Sequence, residues 1–200
     1  MIVCNSKNLV NSNANASKDI FILNNNSSLS CIPKTIKTVS IKNNQSSIPS
    51  FNLQEYSLSQ LEAIYVGHQC FNNSCSQVTF KSRKILVVNY EVDMPTLKRI
   101  EIGYYCFRNV RIFEIDNMAG LENIVVGYSS FNMNGGERSD GRCRICNCPN
   151  LKMIYLSSSS FGDFKYFEVS NLKSLQSIHI TSGFRYADFA LQRKGNEQLD

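Results

Sequence analysis

The sequence predicts a β-rich repeat solenoid with short parallel strands, one or two in each coil, and few or no long helices. The first observation is a repeated stretch whose copies begin at Leu97, Leu121, Leu151 and Leu175, which are 24, 30 and 24 residues apart. The second is the pattern L-x-x-I-x-I in each copy, which places its apolar residues on one side of an extended chain. Such short strands cannot bury their own faces, so they require like strands stacked above and below.

Each copy continues past the strand with a glycine, a small residue and a phenylalanine at fixed positions. The glycines Gly67, Gly103 and Gly127 have two expected roles, a turn with positive φ or a close backbone approach. The next column would form an aromatic ladder inside the coil. Its members are Phe71, Phe107, Phe131 and Phe161, each after a Cys or Ser. A later apolar pair, such as Phe113 and Ile115, predicts a second extended segment on the opposite side of the coil.

The stretch L-x-x-I-x-I resembles the L-x-x-L-x-L core of leucine-rich repeats, and the following G-x-x-S-F is similar to the BspA-like variety. The resemblance covers roughly residues 36 to 185. It implies a leucine-rich-repeat-like solenoid of the kind found in bacterial and protist surface proteins, which serves in adhesion or recognition. The sequence departs from the family in one respect, because no Asn follows the strand at the usual ladder position.

The chain divides into three predicted segments. Residues 1–35 are an Asn- and Ser-rich leader or a diverged first coil, residues 36–185 are the repeat region, and residues 186–200 are a polar tail or cap. The sequence lacks the charged start and apolar run of a signal peptide, and no stretch approaches a membrane-spanning length, so we expect no membrane insertion. A cytoplasmic location and a cell-surface location within a longer chain, as part of a longer repeat array, both stay open.

Two repeats carry extra residues. Between Leu61 and Thr96, alternating apolar residues predict a strand, a turn at Lys81–Lys84 and another strand, together a hairpin that bulges from the coil. Residues 132 to 142 are rich in Gly, Asn, Asp and Ser and predict a surface loop.

Charge and composition argue against several classes of function. The net charge is +5 and the basic residues are scattered, whereas a nucleic-acid groove requires Lys and Arg clustered on one face. Both histidines, His68 and His179, fall at outward positions in different repeats, and no nucleophile is placed beside either one. We therefore expect no nucleic-acid partner, no enzymatic activity and no cofactor.

The cysteines allow two interpretations at each of two places. Cys143, Cys146 and Cys148 form a tight group, but zinc requires four ligands, and the spacing to Leu151 places Cys143 and Cys148 in apolar core columns. We expect core residues there and no metal. Cys70 and Cys106 share one column in neighbouring repeats, where either a disulfide or two small buried thiols would fit.

The outward side of the strands is the predicted binding surface. It contains four Tyr, one Met and one Arg, and these three residue types are enriched in the cores of protein interfaces. We call it the strand-face stripe, and its members are Tyr65, Arg99, Glu101, Tyr104, Val125, Tyr128, Met153, Tyr155 and His179. The sequence thus predicts a non-catalytic scaffold for an unidentified protein partner. The alternative is a structural spacer that belongs to a longer repeat protein and has no binding role of its own.

Overall fold

A computed structural model describes residues 19–23, 32–46, 58–72, 77–81, 83–84, 91–92, 94–132, 140–183 and 188–192. Within these ranges the chain forms fourteen β-strands and no helix. The strands are β1 (Ile20–Leu23), β2 (Thr38–Ile41), β3 (Ala63–Val66), β4 (Gln77–Lys81), β5 (Arg83–Lys84), β6 (Glu91–Val92) and β7 (Arg99–Ile102). They continue with β8 (Ile112–Asp116), β9 (Asn123–Val126), β10 (Gly141–Cys146), β11 (Met153–Leu156), β12 (Phe164–Ser170), β13 (Ser177–Ile180) and β14 (Asp188–Gln192).

Most of these strands belong to two parallel sheets. The first sheet has seven strands in the order β1-β2-β3-β7-β9-β11-β13, and the second has five in the order β14-β12-β10-β8-β4. From β7 onward the chain alternates between the two sheets, one strand in each. The prediction of a strand-rich fold with short parallel strands is confirmed.

The strands of the first sheet pair without a shift in register. Ile64 pairs with Ile100, Ile100 with Ile124, and so on along the sheet. Because the apolar residues alternate with polar ones, all of them point to the same side, and these isoleucines are completely buried. The leucines that begin the repeats also face the core, since Leu97 and Leu121 are completely buried. The L-x-x-I-x-I pattern therefore supplies one half of a continuous core.

The second sheet supplies the other half of the core, as the later apolar pair predicts. Phe113 and Ile115 in β8 are buried, and Cys143 of β10 lies beside Phe113 in register. The pairing reaches past both predicted limits of the repeat region. At the end of the chain, Phe189 pairs with Phe167, so β14 extends this sheet into the predicted tail. At the beginning, Phe21 of β1 pairs with Val39 and is buried, so part of the predicted leader belongs to the first sheet.

The predicted hairpin exists, but its position was wrong. Val78 and Phe80 pair with Phe113 and Ile115, so β4 belongs to the second sheet and is not the first arm of a hairpin. The antiparallel arms are β5 and β6, which pair through Arg83–Lys84 and Glu91–Val92. The predicted turn at Lys81–Lys84 is therefore incorrect, because Lys81 ends β4 and Arg83–Lys84 form β5. The apolar pair of this repeat, Val78 and Phe80, is buried in the core and does not belong to the hairpin. In the predicted loop at residues 132 to 142, the last two residues belong to β10, and residues 133–139 lie outside the described ranges.

The predicted aromatic ladder is present between the sheets. The rings of Phe71 and Phe107 are 4.9 Å apart, those of Phe107 and Phe131 are 5.1 Å apart, and those of Phe131 and Phe161 are 4.6 Å apart. All four rings are completely buried and nearly parallel to their neighbours. Each phenylalanine has a φ between 54° and 57°, a left-handed conformation that bulky side chains rarely adopt. The ladder therefore stands on a strained turn that is repeated four times.

A column of alternating charge runs along the first sheet, one position before each of its first six strands. Its members are Asp19, Lys37, Glu62, Lys98, Glu122 and Lys152. Backbone hydrogen bonds link each member to the next, as between Lys98 N and Glu62 O at 2.8 Å. The Lys152 ammonium lies 2.7 Å from the Glu122 carboxylate, and its hydrogen bond and charge lower the pKa of Glu122. Each of the four inner charges therefore lies between two opposite charges, which favours this stacking order.

Candidate functional site

Seven of the nine residues of the strand-face stripe occupy outward positions in strands of the first sheet. The strand register places five of them in a single row across the sheet: Tyr65, Glu101, Val125, Tyr155 and His179. Arg99 and Met153 belong to the adjacent row, and Tyr104 and Tyr128 follow the ends of β7 and β9. The sequence therefore located a contiguous surface, although its binding role stays a prediction.

The stripe is aromatic and carries little uncompensated charge. Tyr104 is 51% exposed, Tyr128 is 41% exposed and Tyr155 is 38% exposed. Arg99 and Glu101 form an ion pair, with Arg99 Nε donating to Glu101 Oε1 at 2.7 Å. Such a surface loses less hydration energy on binding than one with isolated charges, so it is suited to being covered.

An open cleft of about 600 Å³ runs along this face, across the ends of the strands. Its lining includes Tyr65, Glu101 and Tyr155 from the strands, and a wall formed by His68 and Tyr104 from the turns that follow β3 and β7. The glycines that follow the strands, Gly67, Gly103 and Gly127, also line it. The cleft therefore crosses several repeats, and no single repeat could form it.

The wall of His68 and Tyr104 is built by hydrogen bonds between neighbouring repeats. Asn43 Oδ1 accepts a hydrogen bond from His68 N at 2.8 Å, and His68 Nδ1 accepts one from Tyr104 N at 3.0 Å. The His68 and Tyr104 rings are stacked, with centroids 4.4 Å apart. A Cβ atom on Gly103 would lie only 2.5 Å from His68 Nδ1, so the ring requires glycine beneath it. The close-approach role predicted for the glycines is therefore the one found, and none of the three has a positive φ.

We expect His68→Ala to loosen this wall and His68→Asn to preserve it. Alanine leaves Tyr104 N–H without its acceptor, at a cost of about 1 kcal/mol in unfolding free energy. Asparagine can accept the bond in the same way that Asn43 does for His68 N. Urea denaturation of both variants, with amide hydrogen exchange at Tyr104, measures the difference. Equal exchange rates at Tyr104 in both variants would contradict the proposed role of the acceptor.

Sequence reasoning missed this ladder of acceptors. It noted the lack of Asn at the usual ladder position, whereas Asn43 and His68 provide the acceptor atoms one residue earlier in the turn. A second ladder lies at the end of the second sheet, where Asn147 Nδ2 donates to Asp116 Oδ1 and Asn171 Nδ2 donates to Asn147 Oδ1, both at 2.7 Å. The repeated Asn before Met118 and Leu172 was a signal that could have revealed it.

No protein-family model, curated protein or solved structure matches this chain. Its function must therefore be argued from the geometry of its own surfaces. In the parts of the chain described above there is no helix with the length and apolarity needed to span a membrane.

The cysteine group at β10 does not converge on a common point. Cys143 faces the core beside Phe113, whereas Cys146 lies on the opposite side of the strand, with Ser170 Oγ donating to its sulfur at 3.1 Å. Burial raises the pKa of all three thiols, and that of Cys148 rises to about 12. Zinc binds the thiolate, so these raised pKa values disfavour zinc binding. Across the described residues, no group of three or more His, Cys, Asp or Glu side chains could hold a metal ion.

The outer side of the second sheet has a different character. Arg144 lies at its centre and contacts Glu114 at 3.0 Å, Glu168 at 3.3 Å and Asp116 at 3.5 Å. The hydrogen bond to Glu114 raises the pKa of Arg144 above the usual value for arginine. The exposed ring of Tyr166 lies beside this network, with Arg142 and Lys165 positioned over it. Charged groups on this exterior are thus already engaged with one another.

Proposed function

We propose that the chain is a leucine-rich-repeat-like solenoid, resembling the BspA-like variety, that binds a protein partner through its strand-face stripe without catalysing a reaction. The alternation of strands between two parallel sheets supports the solenoid. The constant register of the first sheet supports it as well, and from β7 onward each repeat adds one strand to each sheet. A scaffold of this kind is rigid across its strands, so it can hold a binding surface in a fixed shape.

One observation carries the proposed binding role, namely the contrast between the two exteriors. The second sheet carries an ion network around Arg144 on its outer side, and Arg142 and Lys165 lie over the exposed ring of Tyr166 there. The first sheet instead leaves Tyr104, Tyr128 and Tyr155 exposed around an open cleft. Tyrosine combines apolar area with a hydroxyl group and loses little entropy on binding, which makes it frequent at interface hot spots.

The alternative is a structural spacer segment within a longer array, and the column of alternating charge favours it. That column supports stacking of the repeats but adds nothing to the cleft. A spacer would tolerate the loss of the exposed rings, because its role depends only on the core and the register. The two functions therefore make opposite predictions for substitutions in the stripe.

We expect the double substitution Tyr65→Ala and Tyr155→Ala to abolish partner capture without unfolding the chain. Tyr155 is 38% exposed and Tyr65 is half-buried on the outward side, so their loss leaves the core intact. The matched control is Tyr166→Ala, because Tyr166 is 37% exposed but lies on the second sheet. Immobilised wild-type and variant chains are compared for captured proteins by quantitative mass spectrometry. Proteins retained by wild type and Tyr166→Ala but lost from the double variant support binding through the stripe, whereas identical capture by all three supports the spacer.

A further inference from the structure

Two thiols occupy equivalent positions in neighbouring repeats. Cys70 and Cys106 each precede a phenylalanine of the ladder, and both are completely buried and free. Each sulfur donates to a backbone carbonyl of the preceding repeat: Cys70 Sγ lies 3.1 Å from Lys42 O, and Cys106 Sγ lies 3.0 Å from Gly67 O. The two side chains therefore point in the same direction from turns that lie one above the other.

The two turns are in direct contact. Phe107 N donates to Cys70 O at 3.0 Å, and the adjacent rings of Phe71 and Phe107 are 4.9 Å apart. Equivalent positions in neighbouring parallel strands are about 4.8 Å apart, which lies within the Cα separation of roughly 4.4–6.8 Å that disulfides span. A bond between the sulfurs would thus need little movement of the backbone.

We propose that Cys70 and Cys106 form a redox modification site, where hydrogen peroxide converts the two thiols into a disulfide between neighbouring repeats. Cys70 sulfur attacks one peroxide oxygen, the O–O bond breaks, and the products are a sulfenic acid on Cys70 and one water. Cys106 sulfur then attacks the Cys70 sulfur, the S–O bond breaks, and a second water leaves. The two sulfurs lose two electrons and two protons in total, and the peroxide takes up both.

The environment divides the two roles between the cysteines. The neighbouring Cys106 thiol lowers the pKa of Cys70, so Cys70 is the thiol that ionises first. The Cys70 side chain and burial raise the pKa of Cys106, which remains a thiol until the second step. Since the thiolate is the nucleophile, Cys70 reacts with peroxide and Cys106 resolves the product.

The bond would connect the turn that carries His68 to the turn that carries Tyr104. These residues form one wall of the cleft, so the disulfide would fix the spacing of that wall. Both sulfurs are covered, so oxidation proceeds through brief opening of the turns and is slower than at an exposed thiol. The modification is a property of the two thiols and holds whether or not the stripe binds a protein.

The test is peptide mapping of the folded full-length chain after treatment with hydrogen peroxide at neutral pH. We expect a linked peptide pair containing Cys70 and Cys106, the loss of two free thiols, and an increase in melting temperature that dithiothreitol reverses. The proposal fails if no such pair forms, if it forms only in denaturant, or if Cys70 stops at a sulfinic acid while Cys106 stays free. It also fails if the chain links other cysteines in place of these two.

Two variants and a control make the assignment specific. Cys70→Ser and Cys106→Ser should fold, because Ser130 occupies the same column and donates to Gly103 O at 2.7 Å in the same way. Neither should show the peroxide-dependent increase in melting temperature, and Cys106→Ser should accumulate a sulfenic acid on Cys70 that dimedone traps. Cys146→Ser removes a thiol on the second sheet and should leave the linked pair unchanged. An unchanged melting shift in Cys70→Ser would overturn the assignment.

Discussion

Phe107→Ala is expected to lower the free energy of unfolding by about 3–5 kcal/mol, the usual cost of truncating a buried phenylalanine. The Phe107 ring is completely buried between Phe71 and Phe131, at 4.9 and 5.1 Å. Its removal leaves a cavity in the middle of the ladder, and both neighbouring rings lose a stacking partner. Because a small domain has a total stability of roughly 5–15 kcal/mol, the variant should be close to unfolding. Urea denaturation followed by circular dichroism measures the change.

Two further variants at this turn separate packing from backbone strain. Tyr104→Ala removes an exposed ring three residues earlier, so it should cost less than about 1 kcal/mol. Phe107→Gly should be at least as stable as Phe107→Ala, because Phe107 has a φ of 57° and glycine adopts that conformation without strain. This order is the opposite of the usual one. If Phe107→Ala and Tyr104→Ala had equal midpoints, the ladder would not be part of the core.

Gly127→Ala should be destabilising by about 1–3 kcal/mol, the range for overpacking in a tight interior. A Cβ atom at Gly127 would lie 2.7 Å from the backbone carbon and oxygen of Gly103 and 2.7 Å from a ring carbon of Tyr104. The backbone of Gly103 cannot move aside without shifting the strand before it. The added methyl group should therefore separate neighbouring repeats and displace the Tyr104 wall of the cleft.

Ser157→Ala provides the matched comparison for this position. Ser157 occupies the same column one repeat later and already carries a Cβ atom, with its backbone N–H donating to Val126 O at 2.9 Å. Its replacement should change the unfolding free energy by less than about 0.5 kcal/mol. Thermal melts of the two variants side by side measure the difference, and a Gly127→Ala melt equal to that of Ser157→Ala would contradict the close approach.

The strands of the first sheet were largely predictable because their signal is local. Alternation of Ile with polar residues specifies which side of an extended chain faces inward, so Ile100 and Ile102 identified the core without reference to any partner. The outward positions followed from the same alternation, which is why the seven residues of the strand-face stripe that belong to strands lie together. Similarly, the spacing before Leu151 placed Cys143 and Cys148 in the core, where both are buried.

The turns were not predictable to the same degree, because their signal depends on the neighbouring repeat. Nothing in the local sequence indicates that a phenylalanine such as Phe107 adopts a left-handed conformation, which is imposed by the packing of rings above and below it. The acceptor role of His68 depends on the position of Tyr104 N, 36 residues later. In the repeat that begins at Leu61, the predicted hairpin was misplaced because Val78 and Phe80 alternate equally well in a hairpin or in the second sheet.

The column of alternating charge has a consequence for how such a chain can change its length. Deleting the single repeat from Leu97 to Gly120 would remove Lys98 and place Glu62 next to Glu122, two like charges in adjacent positions. Deleting residues 97–150 instead, which is two repeats, would place Glu62 next to Lys152 and keep the signs opposite. The alternation of charge therefore depends on whether the number of repeats that is added or removed is even or odd. Duplications and deletions that involve an even number of the charged repeats keep neighbouring signs opposite, whereas those that involve an odd number place two like charges next to each other.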